Sequence, residues 1–258
     1  MSANLETVVV LAAGEGTRMK STTPKVLHEV AGRTLVGHVL SAVNSLKPKH
    51  VRVVVGAGRE AVEAHLAQVA PGVTTVFQER RGGTGHATQL ALAGTDISGT
   101  ILILAGDTPM LTGDSLQQLL NLHHAGGFTA SVLTAEHPDP TGYGRIVRSD
   151  DGSLLRIVEE RDADDFVKAI YEVNSGVYAF DAKALSGAIG KLSTDNSQGE
   201  LYLTDVIEIL RNEGGSIGAV LIEDFVETLG VNDRYQLAES AAMLRDRINE
   251  VHMRNGVT

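Results

Sequence analysis

A mixed, mostly parallel α/β sheet flanked by helices, Rossmann-like in plan, is the fold this sequence predicts. Short apolar runs alternate with segments of helical periodicity through the first half of the chain, the pattern of repeated strand and crossover helix. The run at 101–105, ILILA, is apolar without alternation, as strands covered on both faces are. The first apolar run breaks abruptly at Gly14 and Gly16, which reads as a strand delivering a glycine-rich loop.

The elements follow in order. Residues 8–13 form the opening strand, and the polar segment after it carries the cations Arg18 and Lys25. Such a loop brings backbone N–H groups close to anionic oxygens while the cations supply charge. Residues 34–46 set Leu35, Val39, Leu40, Val43 and Leu46 at helical spacing. A strand at 51–55 precedes a helix at 59–69 with Val62, Leu66 and Val69 inward, and a strand at 73–77 follows. A second glycine cluster, RRGGTGHA at 80–87, opens a helix running to Leu92. The strand at 101–105 ends at Gly106-Asp107, and 115–123 is helical through Leu116, Leu119, Leu120 and Leu122. In a doubly wound order of 3-2-1-4 the first and fourth of these strands are neighbours, so the Gly14 loop and Asp107 meet at one crevice.

Beyond Phe128 the pattern loosens. FTASVLTAEH reads as a further central strand, and RIVR, LLRIVEE and YEVNSGVYAF as shorter ones; 181–189 and 203–211 read as helices and 216–222 as a strand. No Pro/Ser-rich linker divides the halves, so the second half is expected to continue the first as an acceptor-binding layer. At 233–251, Leu237, Ala241, Leu244, Ile248 and Val251 give one apolar helix side, expected to dock on its own domain.

The formal net charge of −10 excludes a general binder of nucleic acid or anionic membrane, so phosphate recognition has to be local. Cysteine is absent, which removes disulfides and thiolate metal sites. The opening MSANLET lacks a cationic leader region and 8–13 is too short for a membrane span, so a cytoplasmic location is expected. The glycine loop itself misses three known motifs. Met19 stands where a dinucleotide fingerprint needs its third glycine, no Gly-Lys-Ser/Thr follows, and His28-Glu29 lacks the second histidine of a zinc-protease helix.

What remains, GxGTRM and then Pro24-Lys25, is specific: LAAGEGTRMKSTTPKVLHEVAGRTLVGHVL resembles the opening of the nucleotide-sugar pyrophosphorylases. QERRGGTGHA, LAGDTPML, TGYGRIVR, IVEERDA, EVNSGVYAFD, NSQGELYLTDV and GVNDRYQLAE resemble, in order, segments of the bacterial N-acetylglucosamine-1-phosphate uridylyltransferase domains, over nearly the whole chain. Taken alone, Arg18 and Lys25 are ordinary solvated cations, Asp107 a turn cap and Glu159 an exposed strand residue.

The resemblance implies more. It makes Arg18, Lys25 and Asp107 catalytic, the cations on the triphosphate and on the phosphate under attack, and it pairs Asp107 with Asn232 as ligands of Mg²⁺. It assigns the nucleotide to Leu11, Ala12, Ala13, Gly14 and Gly16, to Gln78, Gly83 and Thr84, and to Ala105 and Gly106 beside Asp107; the amino sugar falls to Gly144, Glu159 and Asn174. Ala105 departs from the pattern, because the best-known members carry tyrosine there. The histidines supply no ligand set, and His123-His124 reads as helix surface.

The activity implied is joining of UTP and N-acetylglucosamine 1-phosphate into UDP-N-acetylglucosamine and pyrophosphate, with Mg²⁺. Residues 1–232 are then the nucleotidyltransferase domain and 233–258 a helix that links, in relatives, to a left-handed β-helix acetyltransferase domain with no counterpart here; acetyl transfer is not expected. The family trimerises largely through that domain. The alternatives are another pair such as dTTP with glucose 1-phosphate, or a non-catalytic UDP-sugar sensor. A dinucleotide oxidoreductase is disfavoured by Met19.

Overall fold

The computed structural model describes residues 5–95 and 98–258; residues 1–4, part of the opening read as leaderless, lie outside them. The chain starts with β1 (Leu5–Ala12), crosses a two-stranded ribbon of β2 (Glu29–Val30) and β3 (Arg33–Thr34), and enters α1 (Leu35–Ser45). Then come β4 (His50–Val55), α2 (Arg59–Val69), β5 (Thr74–Phe77), α3 (Gly83–Leu92), β6 (Thr100–Ala105) and α4 (Gly113–Ala125). The second half runs through β7 (Ala130–Glu136), β8 (Arg145–Arg148), β9 (Leu154–Val158), α5 (Asp165–Lys168), β10 (Glu172–Asp181), α6 (Ala182–Ile189), α7 (Asp205–Asn212), β11 (Ile217–Ile222) and α8 (Arg234–Arg254).

Among the described residues one nine-stranded sheet holds both halves, its main path ordered β11-β7-β10-β6-β1-β4-β5. Within it β5-β4-β1-β6 is the third, second, first and fourth strand of the first half, all parallel, as the doubly wound order requires. Every strand of the path runs the same way except β10, which pairs antiparallel with β6 on one side and β7 on the other. This insertion was not foreseen from sequence. The β8–β9 hairpin branches from β10 at Val173, opposite Arg145.

Side-chain alternation explains why the central strands are apolar throughout. Val8 and Val10 of β1 with Leu102 and Leu104 of β6 face a core shared with α1, α2 and α4; Val9, Ile101 and Ile103 face the other, shared with α3, α6 and α7. Helix starts follow local capping. The Thr34 hydroxyl accepts from Gly37 N at 3.1 Å, and that of Thr112 from Ser115 N at 3.2 Å, so α4 begins before the first periodic leucine.

Two burial readings are corrected: Val69, expected inward, is 52% exposed at the end of α2, and His123, expected at the surface, is not. His123 is buried, 4% exposed, on the side of α4 that also carries Leu116, Leu119 and Leu120, and its ring Nδ1 lies 3.1 Å from the Ser131 hydroxyl on β7. Helical spacing puts it toward the sheet, where Ser131 meets its polar atom; burial and its neighbour His124 push its pKa down to about 4.

Helix α8 docks on the first half. Asp233 caps it, Leu244 joins a small core with Met19, Val30, Leu35, Met110 and Val231, and Arg247 donates to the Met110 carbonyl at 2.8 Å. Ile248, Val251 and Met253, toward its end, are exposed. Leu244→Ala is expected to lower unfolding free energy by about 2 to 3 kcal/mol in urea titration; a loss below about 0.5 kcal/mol would show that the docking contributes little.

Candidate active site

The carboxyl ends of β1 and β6 open on one cavity of about 360 Å³. Its floor is the β1 exit, Leu11 to Gly14, with Ala105 at the end of β6. Past Gly14 the chain turns tightly: Gly16 sits at φ +62°, and a side chain there would strike Cβ of Lys25 at 2.5 Å. Glycine at 16 therefore both permits the left-handed turn and clears the space Lys25 occupies. Met19, buried, anchors the far side of the turn.

Lys25 points inward. Its ammonium, with the side chain 11% exposed, donates to the Asp107 carboxylate and to Asn232 Oδ1 at 3.2 Å. Asp107 and Asn232 are held by backbone as well: Val231 N donates to the Asp107 carbonyl at 2.9 Å, and Asn232 N to Gln236 Oε1 at 2.8 Å in the first turn of α8. Two oxygen donors thus converge on one cation, although 125 positions (232 − 107) separate them in the chain. A carboxylate and a carboxamide oxygen form a hard donor pair that suits a magnesium ion, which keeps several waters, and the ammonium between them shows that the place takes positive charge. Among the described residues there is no group of three or more His, Asp or Glu for a fully protein-coordinated metal.

A second wall comes from the glycine cluster after β5. Gln78 is 9% exposed and its amide nitrogen donates to the Gly83 carbonyl at 3.2 Å and to His86 Nδ1 at 3.1 Å, which leaves Oε1 free to accept. Gly83 has φ +92°, and a Cβ there would meet the Leu201 carbonyl, so only glycine lets this turn seat against the 196–203 loop. The Thr84 hydroxyl accepts from Leu203 N at 3.0 Å. The N-terminus of α3 therefore faces the cavity and favours anionic groups there.

The third wall is polar and deep. Glu159, Asn174 and Tyr178 line it; Asn174 Nδ2 donates to the Tyr178 hydroxyl at 2.6 Å, and the Thr204 hydroxyl to Glu159 at 3.1 Å. Burial raises the pKa of Glu159 against that hydrogen bond, and burial with the nearby Glu159 raises that of Tyr178. A register irregularity in β10 between Asn174 and Tyr178 swings the chain out to make this wall. Just behind it, Asp205 is pushed up to about 6 by burial, then by Glu208 and Asp162.

Most residues singled out from sequence meet around this cavity. Gly144 touches the wall from behind, its carbonyl accepting from Asn174 N at 2.8 Å, and Gly106 donates to the Leu11 carbonyl at 2.9 Å. Arg18 stands apart: it is exposed on the turn beyond Gly16, does not line the cavity and has no hydrogen bond or ion pair to another described residue. Sequence reasoning missed Tyr178, Thr204, Leu203 and Arg81, which line the cavity, and Gln236, which holds Asn232. Tyr178 and Thr204 sat inside the quoted segments EVNSGVYAFD and NSQGELYLTDV, so the signal was present without a reason to select them.

Comparison with known proteins bears on the same region. Residues 8–174 match the model of the MobA-like NTP transferase domain. The chain is 54% identical over 254 residues to the bifunctional protein GlmU of Streptomyces coelicolor and 49% identical over 253 residues to that of Lactococcus lactis. Each match covers 97% of this chain but 53% and 54% of the relative, so the chain spans about half the length of the curated relatives it matches. Among solved structures, the inositol-1-phosphate CTP transferase from T. maritima superposes with a TM-score of 0.67 at 15% identity, covering 90% of this chain and 91% of that one; this likeness establishes the fold.

The raised pKa of Asp205 has a sign that can be checked. The folded protein keeps this proton where the unfolded chain, with a carboxyl pKa of about 4, has lost it, so stability falls as pH rises from about 4 to about 6. Asp205→Asn is expected to gain melting temperature relative to wild type across that window and to hold the gain above it, as read by thermal melts at stepped pH. A difference that does not change with pH removes this account.

Proposed function

The chain belongs to the MobA-like NTP transferase family, and from that premise we propose that it transfers UMP from UTP to N-acetylglucosamine 1-phosphate, giving UDP-N-acetylglucosamine and pyrophosphate. The observation that carries the reading is the convergence of Lys25, Asp107 and Asn232 beside one cavity with an anion-favouring helix end on its other side. Identity of about half to the GlmU proteins over nearly the whole chain supports the choice of substrates.

The reaction needs little from side chains as acids or bases. A sugar phosphate with a second pKa of about 6 is already a dianion at neutral pH, so its oxygen attacks without a general base. That oxygen bonds to the α-phosphorus, the bond from the α-phosphorus to the bridging oxygen breaks, and pyrophosphate leaves with the electron pair. The obstacle is approach of one anion to another.

Lys25 answers it from the β1 loop, and Arg18, on the exposed turn of the same loop, is proposed to take the outer phosphates. Asp107 and Asn232 would hold the magnesium ion, whose part when bound is to neutralise phosphate charge. Gln78 orients the base. With its amide protons committed within the protein, its free oxygen accepts from a ring N–H such as N3–H of uracil or thymine and finds no donor at N3 of cytosine. Glu159, Asn174 and Gly144 are proposed to receive the amino sugar, and placing both substrates in line supplies much of the remaining acceleration.

No helix among the described residues is long and apolar enough to cross a membrane; a cytoplasmic site of action is part of the proposal. Residues 1–232 are proposed as the catalytic unit, with α8 and the residues after it as the connection to whatever follows in longer relatives. Trimerisation is likewise proposed to depend on that other part.

Purified protein with UTP, N-acetylglucosamine 1-phosphate and Mg²⁺ is expected to release pyrophosphate in a coupled assay, and CTP to be a poor substitute. Lys25→Ala, Asp107→Ala and Arg18→Ala are each expected to lower kcat by about two to three powers of ten. Folded wild-type protein without turnover, or an Asp107→Ala variant with full activity, would sink the proposal.

A further inference from the structure

Arg145 is the largest of the fully buried side chains, 2% exposed, and none of the roles above uses it. A buried guanidinium is kept only where it is paired and hydrogen-bonded, so its partners show what it holds. Nη1 donates to the carbonyl of Tyr143, two residues back, and Nη2 lies 2.8 Å from Glu160 Oε2, an ion-pair contact without hydrogen-bond geometry. Nε and Glu160 Oε2 are both buried without a hydrogen-bond partner among the described residues.

Those two anchors have a simple relation in the sheet. The β8–β9 ladder pairs Val147 with Arg156, Ile146 with Ile157 and Arg145 with Val158, where it stops. Continued by one step it would set Gly144 opposite Glu159, and by two steps Tyr143 opposite Glu160. The guanidinium thus spans the open end of the hairpin, tying the second step together and enclosing Gly144 and Glu159 in the first.

Glu159 lines the cavity, and Gly144 backs the same wall from behind. A methyl group on Gly144 would lie 3.6 Å from Glu159 Oε2 and 3.6 Å from Asn174 Cβ, and Asn174 N donates to the Gly144 carbonyl. Because β9 ends at Val158, Glu159 is held beyond the ladder by the Thr204 hydroxyl on its carboxylate, by Asp162 N on its carbonyl and, through its neighbour Glu160, by the guanidinium. The energy of keeping a cation out of water therefore goes into the position of this wall.

We propose that Arg145 is a positioning residue for sugar recognition: by bridging Tyr143 and Glu160 it fixes Gly144, Glu159 and Asn174 as one rigid surface for the sugar of a sugar 1-phosphate. The inference rests on the reading of the cavity given above. It concerns the acceptor alone, because the nucleotide walls at Gln78 and Lys25 share no contact with the guanidinium.

The test is steady-state kinetics with each substrate varied. Arg145→Lys keeps the charge but lacks the fork that reaches both anchors. It is expected to raise KM for N-acetylglucosamine 1-phosphate about tenfold, with KM for UTP within about twofold. Arg145→Met combined with Glu160→Gln removes both charges, a replacement that buried pairs often tolerate, so its melting temperature should stay within about 4 °C of wild type while the selective rise in KM persists.

Should the double variant melt early, Glu160→Gln alone decides: the outer anchor is weakened without emptying the interior, and a selective rise of about threefold is expected. Folded variants with unchanged KM for the sugar phosphate overturn the inference, as does an equal rise for both substrates. A wild-type enzyme that does not turn over removes the underlying reading, and this inference with it; turnover with no acceptor-specific change removes the inference alone.

Discussion

The ammonium of Lys25 lies between the oxygens of Asp107 and Asn232, and the rest of the site is arranged around that contact. Three segments remote in sequence are tied by it: the loop after β1, the end of β6 and the residues leading into α8. Each must be delivered by its own scaffold. Gly16 clears the space for the lysine stem, the parallel pairing of β1 with β6 puts Asp107 across from the loop, and the docking of α8 brings Asn232 within reach. Part-buried charges interact more strongly than exposed ones, so a small misplacement of any segment is felt by all three.

A protein with a net charge of −10 that is proposed to bind a triphosphate and a sugar phosphate has to concentrate positive potential at one place. Here the concentration comes from two sources on opposite sides of the cavity. Lys25 supplies a formal charge, and the N-terminus of α3 supplies the partial positive charge of the helix dipole. Of the acidic side chains, Asp107, Glu159 and Glu200 line the cavity, and the wall proposed for the sugar carries one of them. Glu159 lines that wall and Asp205 lies just behind it, and burial raises the pKa of both.

The antiparallel strand β10 divides the labour between the halves of the sheet. Its straight part, Tyr178 to Asp181, continues the parallel sheet beside β6; its irregular part, from Asn174 to Tyr178, leaves the ladder and becomes a wall of the cavity. The β8–β9 hairpin hangs from the same strand, so the surface proposed for the acceptor is one supersecondary unit placed against the nucleotide-side unit. Such a division lets the wall proposed for the acceptor vary while the loop after β1 keeps its geometry.

Local pattern was enough to fix much of this molecule. Strands at β1, β4, β5 and β6, helices α1 to α3 and their parallel order follow from apolar periodicity and from glycine turns, because period and turn chemistry act within a few residues. The glycine loop with Arg18 and Lys25 was legible for the same reason. Tertiary structure alone decided what depends on distance in space. It set β10 antiparallel between β6 and β7, turned His123 inward to Ser131, held Arg18 at the surface, and brought Asn232 to Asp107 through Gln236 and Lys25. No periodicity encodes a meeting of residues 25, 107 and 232; it exists only once the sheet is assembled and α8 is docked, because long-range contacts are fixed by packing and not by local propensity.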